Sequence, residues 1–146
     1  GYSQSNRERY EGFCQALTDA GKKVDSSLCL TTPLGIDTYR EEIDTFLSSL
    51  SRMPDAFVCA SDYVACILMQ LLEKRGLRVP EDVAVSGFDN NTEDLLAEHL
   101  TTVQVFNEEL GARLALQILY RIKYPNTPHE ITYLGTNVLY RDSTGD

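Results

Sequence analysis

A chain of 146 residues that is 42% hydrophobic and 24% charged has the composition of one globular domain or of a large piece of one. Its 13 basic and 22 acidic residues give a formal charge of -9, and such an acidic surface is unsuited to binding nucleic-acid phosphates. No apolar stretch is long enough to span a membrane, so we expect no membrane partner.

The first half of the chain alternates between amphipathic segments and short apolar runs. Apolar residues at i, i+3, i+4 and i+7 indicate helices, and two capping-box patterns, Ser5 to Glu8 and Thr38 to Glu41, predict where the first two helices begin. The predicted elements are a helix from Ser5 to Gly21, a strand over 24–30, a helix over 39–50 and a strand over 56–60.

The second half repeats the alternation. Asp62 is predicted to be the N-cap of a helix that ends at Gly76, and Glu108 and Glu109 suit the N-terminus of a later helix. The predicted elements are a helix over 62–75, a strand over 83–88, a short helical segment around 92–98, a strand over 100–105, a helix over 107–122 and a strand over 130–140.

The four cysteines show neither metal-binding nor redox spacing, and His99 and His129 are far from them in the sequence. Each cysteine lies in an apolar run, which favours small buried side chains with free thiols in a reducing cytoplasm. We therefore predict no metal and no cofactor. The cysteines are Cys14, Cys29, Cys59 and Cys66.

Strands that alternate with amphipathic helices predict an α/β fold, a parallel sheet with helices on both faces. The carboxyl ends of such strands share one edge with the helix N-termini, and ligands bind in the crevice there. Asp89 follows the strand over 83–88, and Ser61 and Asp62 follow the preceding one. Arg9, in the first turn of the first helix, can reach the same edge.

The residues alone leave two interpretations of Asp89. It can be a turn residue that bonds its own backbone, or a ligand contact. An enzyme is not indicated: a phosphoacceptor aspartate needs a lysine at a later strand end, and the strands over 100–105 and 130–140 contain none. No GxSxG elbow and no glycine-rich phosphate loop is present.

Four segments in order, and a fifth at the end, resemble the lactose-repressor/galactose-repressor (LacI/GalR) family, in the C-terminal part of its effector-binding region. The segment over 76–90 is the most specific. The matching stretches are "RYEGFCQAL" (9–17), "PDAFVCASDYVA" (54–65), "GLRVPEDVAVSGFDN" (76–90), "LTTVQVFNEELG" (100–111) and "TNVLYRDST" (136–144).

This resemblance implies a type I periplasmic-binding-protein-like fold, in which two lobes close on a small effector, a sugar or related polar metabolite. Closure repositions an N-terminal helix-turn-helix domain on operator DNA, and that domain is not present in these residues. Residues 1–146 would be mainly the C-terminal lobe of a cytoplasmic regulator, a homodimer and not an enzyme.

By position in the motifs, the resemblance implies effector contacts at Arg9, Ser61 and Asp89, and less directly at Pro33, Asn90 and Val105. Two departures change the expected pocket wall. Val105 and Phe106 stand where many members have glutamine and proline, and the loop "TTPLG" lacks the aromatic residue of several sugar binders. Both changes make the wall less typical of a sugar site.

Two other functions stay open from the sequence. A transport-type periplasmic sugar-binding protein would share the fold, although four unpaired cysteines and the regulator-like segment over 76–90 argue against it. A protein-interaction module would need no polar crevice.

The resemblance also implies that parts of the fold lie outside these residues. In the family a central strand precedes the first helix, and the helix over 107–122 packs on the other lobe. The apolar stripe of that helix is therefore expected to be far more exposed than the helices over 39–50 and 62–75.

Overall fold

The computed structural model describes residues 3–35, 37–90 and 95–145. The helices are α1 (Gln4–Asp19), α2 (Tyr39–Ser49), α3 (Asp62–Lys74) and α4 (Asn107–Lys123), and the strands are β1 (Ala56–Val58), β2 (Ala84–Ser86), β3 (Thr102–Gln104) and β4 (Asn137–Leu139). Short 3₁₀ turns span Ser26–Leu28, Leu95–His99 and Asp142–Thr144. Residues 92–94 of the short helical segment predicted around 92–98 lie outside the described residues.

The sheet is parallel in its centre, as predicted. β1 and β2 pair in parallel with Phe57 opposite Val85, and isolated parallel bridges, Ser86 to Thr101 and Asp89 to Gln104, continue the order towards β3. β4 pairs antiparallel to β3. The carboxyl end of β1, which precedes α3, and the carboxyl end of β2 therefore lie on one edge of the sheet, as the alternation of elements requires.

The prediction of a strand over 24–30 is wrong. Asp25 accepts hydrogen bonds from the backbone N–H of Ser27 at 3.0 Å and from its hydroxyl at 2.6 Å, and a 3₁₀ turn forms over Ser26–Leu28. Short polar side chains compete in this way with regular backbone pairing.

Two of the three capping predictions named the wrong residue. The N-cap of α1 is Ser3 rather than Ser5, and its hydroxyl accepts from Asn6 N at 3.3 Å. The N-cap of α3 is Ser61 rather than Asp62, and its hydroxyl accepts from Val64 N at 3.4 Å. Thr38 is the N-cap of α2, as predicted, but its side chain makes no capping bond, since its hydroxyl is bonded to Glu42.

The core lies between α2, α3, β2 and the turn over Leu95–His99. Its fully buried side chains include Leu72, Val85 and Leu100. By contrast, neither α1 nor α4 buries any residue, and Ile122 on α4 is 73% exposed. The predicted exposure of the apolar stripe on α4 is therefore confirmed.

Across residues 3–35, 37–90 and 95–145, none of the helices has the length and apolar character that crossing a bilayer demands.

Candidate functional site

Arg9 binds to the edge of the sheet through three contacts. It lies in the second turn of α1, because the N-cap of that helix is Ser3, two residues earlier than predicted. One guanidinium nitrogen donates to the carbonyl oxygen of Ala60 at 2.6 Å, and the other lies 3.5 Å from Asp89 Oδ1. The guanidinium carbon is 3.7 Å from the centroid of the Phe88 ring.

Asp89 follows β2 with a backbone φ of 107°, a conformation that non-glycine residues rarely adopt. Its N–H donates to the carbonyl of Val103 at 3.0 Å, which fixes the residue beside the end of β3. The carboxylate is 42% exposed, so it is open to a ligand.

The electrostatic environment of Asp89 is mixed. Partial burial raises the pKa of its carboxyl, the Arg9 guanidinium opposes that shift, and the charge of Asp62 adds to it. The net result is a pKa above the ordinary aspartate value of 3.8. A carboxylate can accept about four hydrogen bonds, and among the described residues Arg9 donates one, so Asp89 can also accept from a ligand.

Ser61 lies between the carbonyl that Arg9 binds and the buried Asp62. Its oxygen caps α3, and within the described part of the chain its own hydroxyl proton remains available for donation to a ligand. The structure thus brings Arg9, Ser61 and Asp89, all selected from the sequence, to one edge of the sheet.

The other three candidates take different positions. Asn90 adopts a φ of 55°, and its side-chain oxygen accepts from Arg141 at 2.8 Å. Pro33 is exposed in the loop before α2, and Val105 is partly buried between β3 and α4. Within the described part of the chain, no hydrogen bond or ion pair joins Pro33 or Val105 to the Arg9–Asp89 pair.

Sequence reasoning missed the residues that support the pair. Phe88 provides the ring under Arg9, and its place between Gly87 and Asp89 was the available signal. Asp62, which we assigned to capping, is only 2% exposed and accepts from the hydroxyl of Thr102 at 2.6 Å. Nothing local in the sequence indicates that contact, because the two residues are 40 positions apart.

Both side chains of the Arg9–Asp89 pair are partly exposed, 27% for Arg9 and 42% for Asp89. A shallow depression of about 550 Å³ lies elsewhere, along the outer side of α2, where Leu30, Glu42 and Phe46 line it. A carboxylate beside a guanidinium presents hydrogen-bond acceptors and donors to a polar ligand.

Known proteins are similar to this chain in sequence and in fold. Residues 2–144 match the family described as periplasmic binding protein-like domain. The HTH-type transcriptional regulator CelR of Thermobifida fusca is 34% identical over 142 residues, which cover 93% of this chain and 40% of that protein.

Solved structures of transcriptional regulators have a fold similar to that of this chain. A CelR–cellobiose complex superposes with a TM-score of 0.82 at 31% identity, covering 93% of this chain and 42% of that one. A LacI family regulator from Enterococcus faecium with bound ribose gives a TM-score of 0.76 at 26% identity, covering 96% of this chain and 51% of that one.

The chain spans between 33% and 44% of the length of the curated relatives DegA, CelR and PurR. The match nevertheless runs through nearly all of its own residues, and the resemblance to LacI-type regulators is confirmed. The chain therefore belongs to the family of periplasmic-binding-protein-like domains, in the form found in these regulators.

Proposed function

We propose that this chain is the effector-sensing part of a LacI-type transcriptional regulator and that Arg9, Ser61 and Asp89 bind a sugar or a related polar metabolite. The observation that carries the proposal is the Arg9–Asp89 pair at the carboxyl edge of the parallel strands, with 3.5 Å between its nitrogen and oxygen. A carboxylate accepts from vicinal hydroxyls while a guanidinium donates to them. The cellobiose and ribose bound to similar proteins support the sugar class.

The effector is enclosed, in this proposal, between the described edge and a second lobe. The pair is open on one side, and α4 presents an apolar stripe that no described residue covers. We assign that stripe to packing on the second lobe, so that α4 links the two lobes. Leu110, Leu114, Ile118, Leu119 and Ile122 belong to it.

The same proposal assigns DNA binding to a different domain. The formal charge of -9 makes this surface a poor match for phosphates, so operator contact belongs to a separate helix-turn-helix domain. We further propose a cytoplasmic homodimer, because the relatives are regulators of transcription and the four thiols are free.

A transport-type sugar-binding protein has less support. The curated relatives DegA, CelR and PurR and the two solved structures are all named as regulators or repressors of transcription.

The proposal is tested by calorimetric titration of cellobiose and ribose into the full-length regulator and its Asp89→Asn variant. Losing a charge-assisted hydrogen bond costs about 1.5–3 kcal/mol, so we expect roughly ten- to hundred-fold weaker binding. Operator binding without effector should be unchanged.

Asp44→Asn is the matched control, because Asp44 pairs with Arg75 at 2.7 Å on α2, outside the Arg9–Asp89 contacts. It should leave the sugar affinity at the wild-type value. Equal affinities for wild type and Asp89→Asn would refute the site, and no binding of either sugar would refute the sugar class.

A further inference from the structure

The carboxylate of Asp89 is presented by a strained turn. Asp89 and Asn90 both have positive φ, 107° and 55°, although neither is glycine. Such conformations persist only where the surrounding structure holds them, and they cluster at functional sites. The residue that holds this turn therefore also sets the direction of the carboxylate.

The buried hydroxyl of Thr102 is one of the groups that support the turn. The backbone N–H of Asn90 donates to Thr102 Oγ1 at 3.3 Å. The same hydroxyl donates its proton to Asp62 Oδ1 at 2.6 Å. A hydroxyl has one proton and two lone pairs, so its commitment to Asp62 leaves the lone pairs for Asn90.

Asp62 holds the same strand end at a second point. Its backbone N–H donates to the carbonyl oxygen of Phe88 at 2.8 Å, and its carboxylate packs against Gly87. Asp62 is thus bonded to the residue before Asp89, and Thr102 is bonded to the residue after it.

We propose that Thr102, with its hydroxyl oriented by Asp62, is a positioning residue that holds the Asp89–Asn90 turn so that the carboxylate faces Arg9 and the effector. The part of this inference that concerns effector binding rests on the proposed function of Asp89. The turn itself is testable without any effector.

The first test measures amide hydrogen exchange of Asn90 in the effector-free full-length protein. Thr102→Val removes the hydroxyl at nearly constant volume, and we expect faster exchange at Asn90, whereas Thr102→Ser keeps the hydroxyl and should preserve the protection. Thr102→Ala removes the same hydroxyl without placing a methyl group beside Asp62, and it replaces the valine variant if that variant does not fold. Unchanged exchange in the variants that lack the hydroxyl overturns the proposal.

Ser143→Ala is the control for the loss of a buried hydroxyl. Ser143 donates to the carbonyl of Val85 at 2.6 Å and accepts from Thr101 N at 2.8 Å, without a hydrogen bond to the turn. It should lower stability but leave Asn90 exchange and effector affinity as in the wild type. A loss of affinity in Ser143→Ala equal to that in Thr102→Val would mean that general destabilisation explains both.

The second test is a double-mutant cycle on affinity for cellobiose or ribose. Thr102→Val alone should weaken binding roughly three- to ten-fold, and Thr102→Ser should restore it. In the Asp89→Asn background the valine substitution should have little further effect, because it acts through Asp89. Full additivity overturns the positioning role, whereas an Asp89→Asn variant with wild-type affinity contradicts the proposed function instead.

Discussion

The guanidinium of Arg9 lies over the ring of Phe88, 3.7 Å from its centroid, and so one strand end supplies both an aromatic face and the carboxylate of Asp89 to the same cation. A cation over an aromatic face is stabilised by the charge distribution of the ring. With its third contact to Ala60, Arg9 is held in place by groups of the protein itself. Such pre-organisation lowers the entropic cost of binding.

Arg9→Gln should raise the pKa of Asp89 further. Burial already raises this pKa above 3.8, and among the described residues the Arg9 charge is the influence that lowers it, so removing that charge should let the pKa rise further. A carbon-13 NMR titration of the Asp89 carboxyl measures the change. A pKa that falls or stays constant would show that Arg9 and Asp89 do not interact in solution.

The raised pKa of Asp89 predicts how stability and effector affinity each change with pH. The folded protein keeps the Asp89 proton to a higher pH than the unfolded chain, so ionisation of Asp89 lowers stability as pH rises from 3.8 through the raised pKa. Effector affinity should change in the opposite direction, because the ionised carboxylate is the acceptor. Acidification should therefore weaken binding at a higher pH than for an ordinary aspartate.

Asp82 should stabilise the protein in a different pH window. Arg78 lowers the pKa of Asp82 to about 2 through side-chain and backbone hydrogen bonds, both of 2.9 Å. Its contribution is complete above 3.8 and is lost as pH falls towards 2. Asp82→Asn should therefore be less stable than the wild type at neutral pH and converge with it near pH 2, as measured by urea unfolding. A constant difference across this range would contradict the assignment.

Gly87→Ala should destabilise the sheet edge. A Cβ there would lie 2.2 Å from Asp62 Oδ1 and 3.1 Å from the backbone of Asp62, which cannot move aside easily. Overpacking of this kind costs about 1–3 kcal/mol. Gly12→Ala on α1 is the control, since its added Cβ meets nothing within 4 Å, and helix propensity favours alanine by about 1 kcal/mol. Thermal unfolding should shift in opposite directions for the two variants.

Leu72→Ala and Ile122→Ala should show how differently the core and the apolar stripe on α4 contribute to stability. Leu72 is fully buried, and its truncation should cost about 2–5 kcal/mol in urea unfolding of the 146-residue chain. Ile122 is 73% exposed, so its truncation should change the stability of that chain by less than about 0.5 kcal/mol. In the full-length protein Ile122→Ala should become costly, and a negligible effect there would contradict the proposed packing of α4 on a second lobe.

Elements governed by apolar periodicity were predictable from the sequence. The helix predicted over 62–75 is observed at Asp62–Lys74, and Gly76 has the positive φ of 74° that suits a helix end. The segment over 24–30 was not predictable in this way, because the local bonds of Asp25 to Ser27 outweigh an apolar run. Capping residues were misplaced because Ser3 and Ser5, like Ser61 and Asp62, are equally suitable in sequence.

The sequence predicted the edge of the sheet at which the candidate residues lie, but not the contacts that they make there. Strand order places Asp89 at the carboxyl edge, and that argument needs no distances. The bond from Thr102 to Asp62 depends on how β3 and α3 pack in three dimensions. Arg141 bonds Asn90 across 51 positions, a separation at which single-sequence patterns carry no signal.

The hydroxyl of Ser143, which joins Val85 to Thr101, has a consequence for biosynthesis. The buried N–H of Thr101 obtains its acceptor from a residue 42 positions later in the chain. At about 5–20 residues per second, a ribosome needs roughly 2–8 seconds to make that intervening stretch. During that interval the N–H of Thr101 in the nascent chain lacks its acceptor on Ser143, and a buried unpaired amide opposes closure of the core. Translation speed over the second half of the protein should therefore influence how much of it reaches the native state.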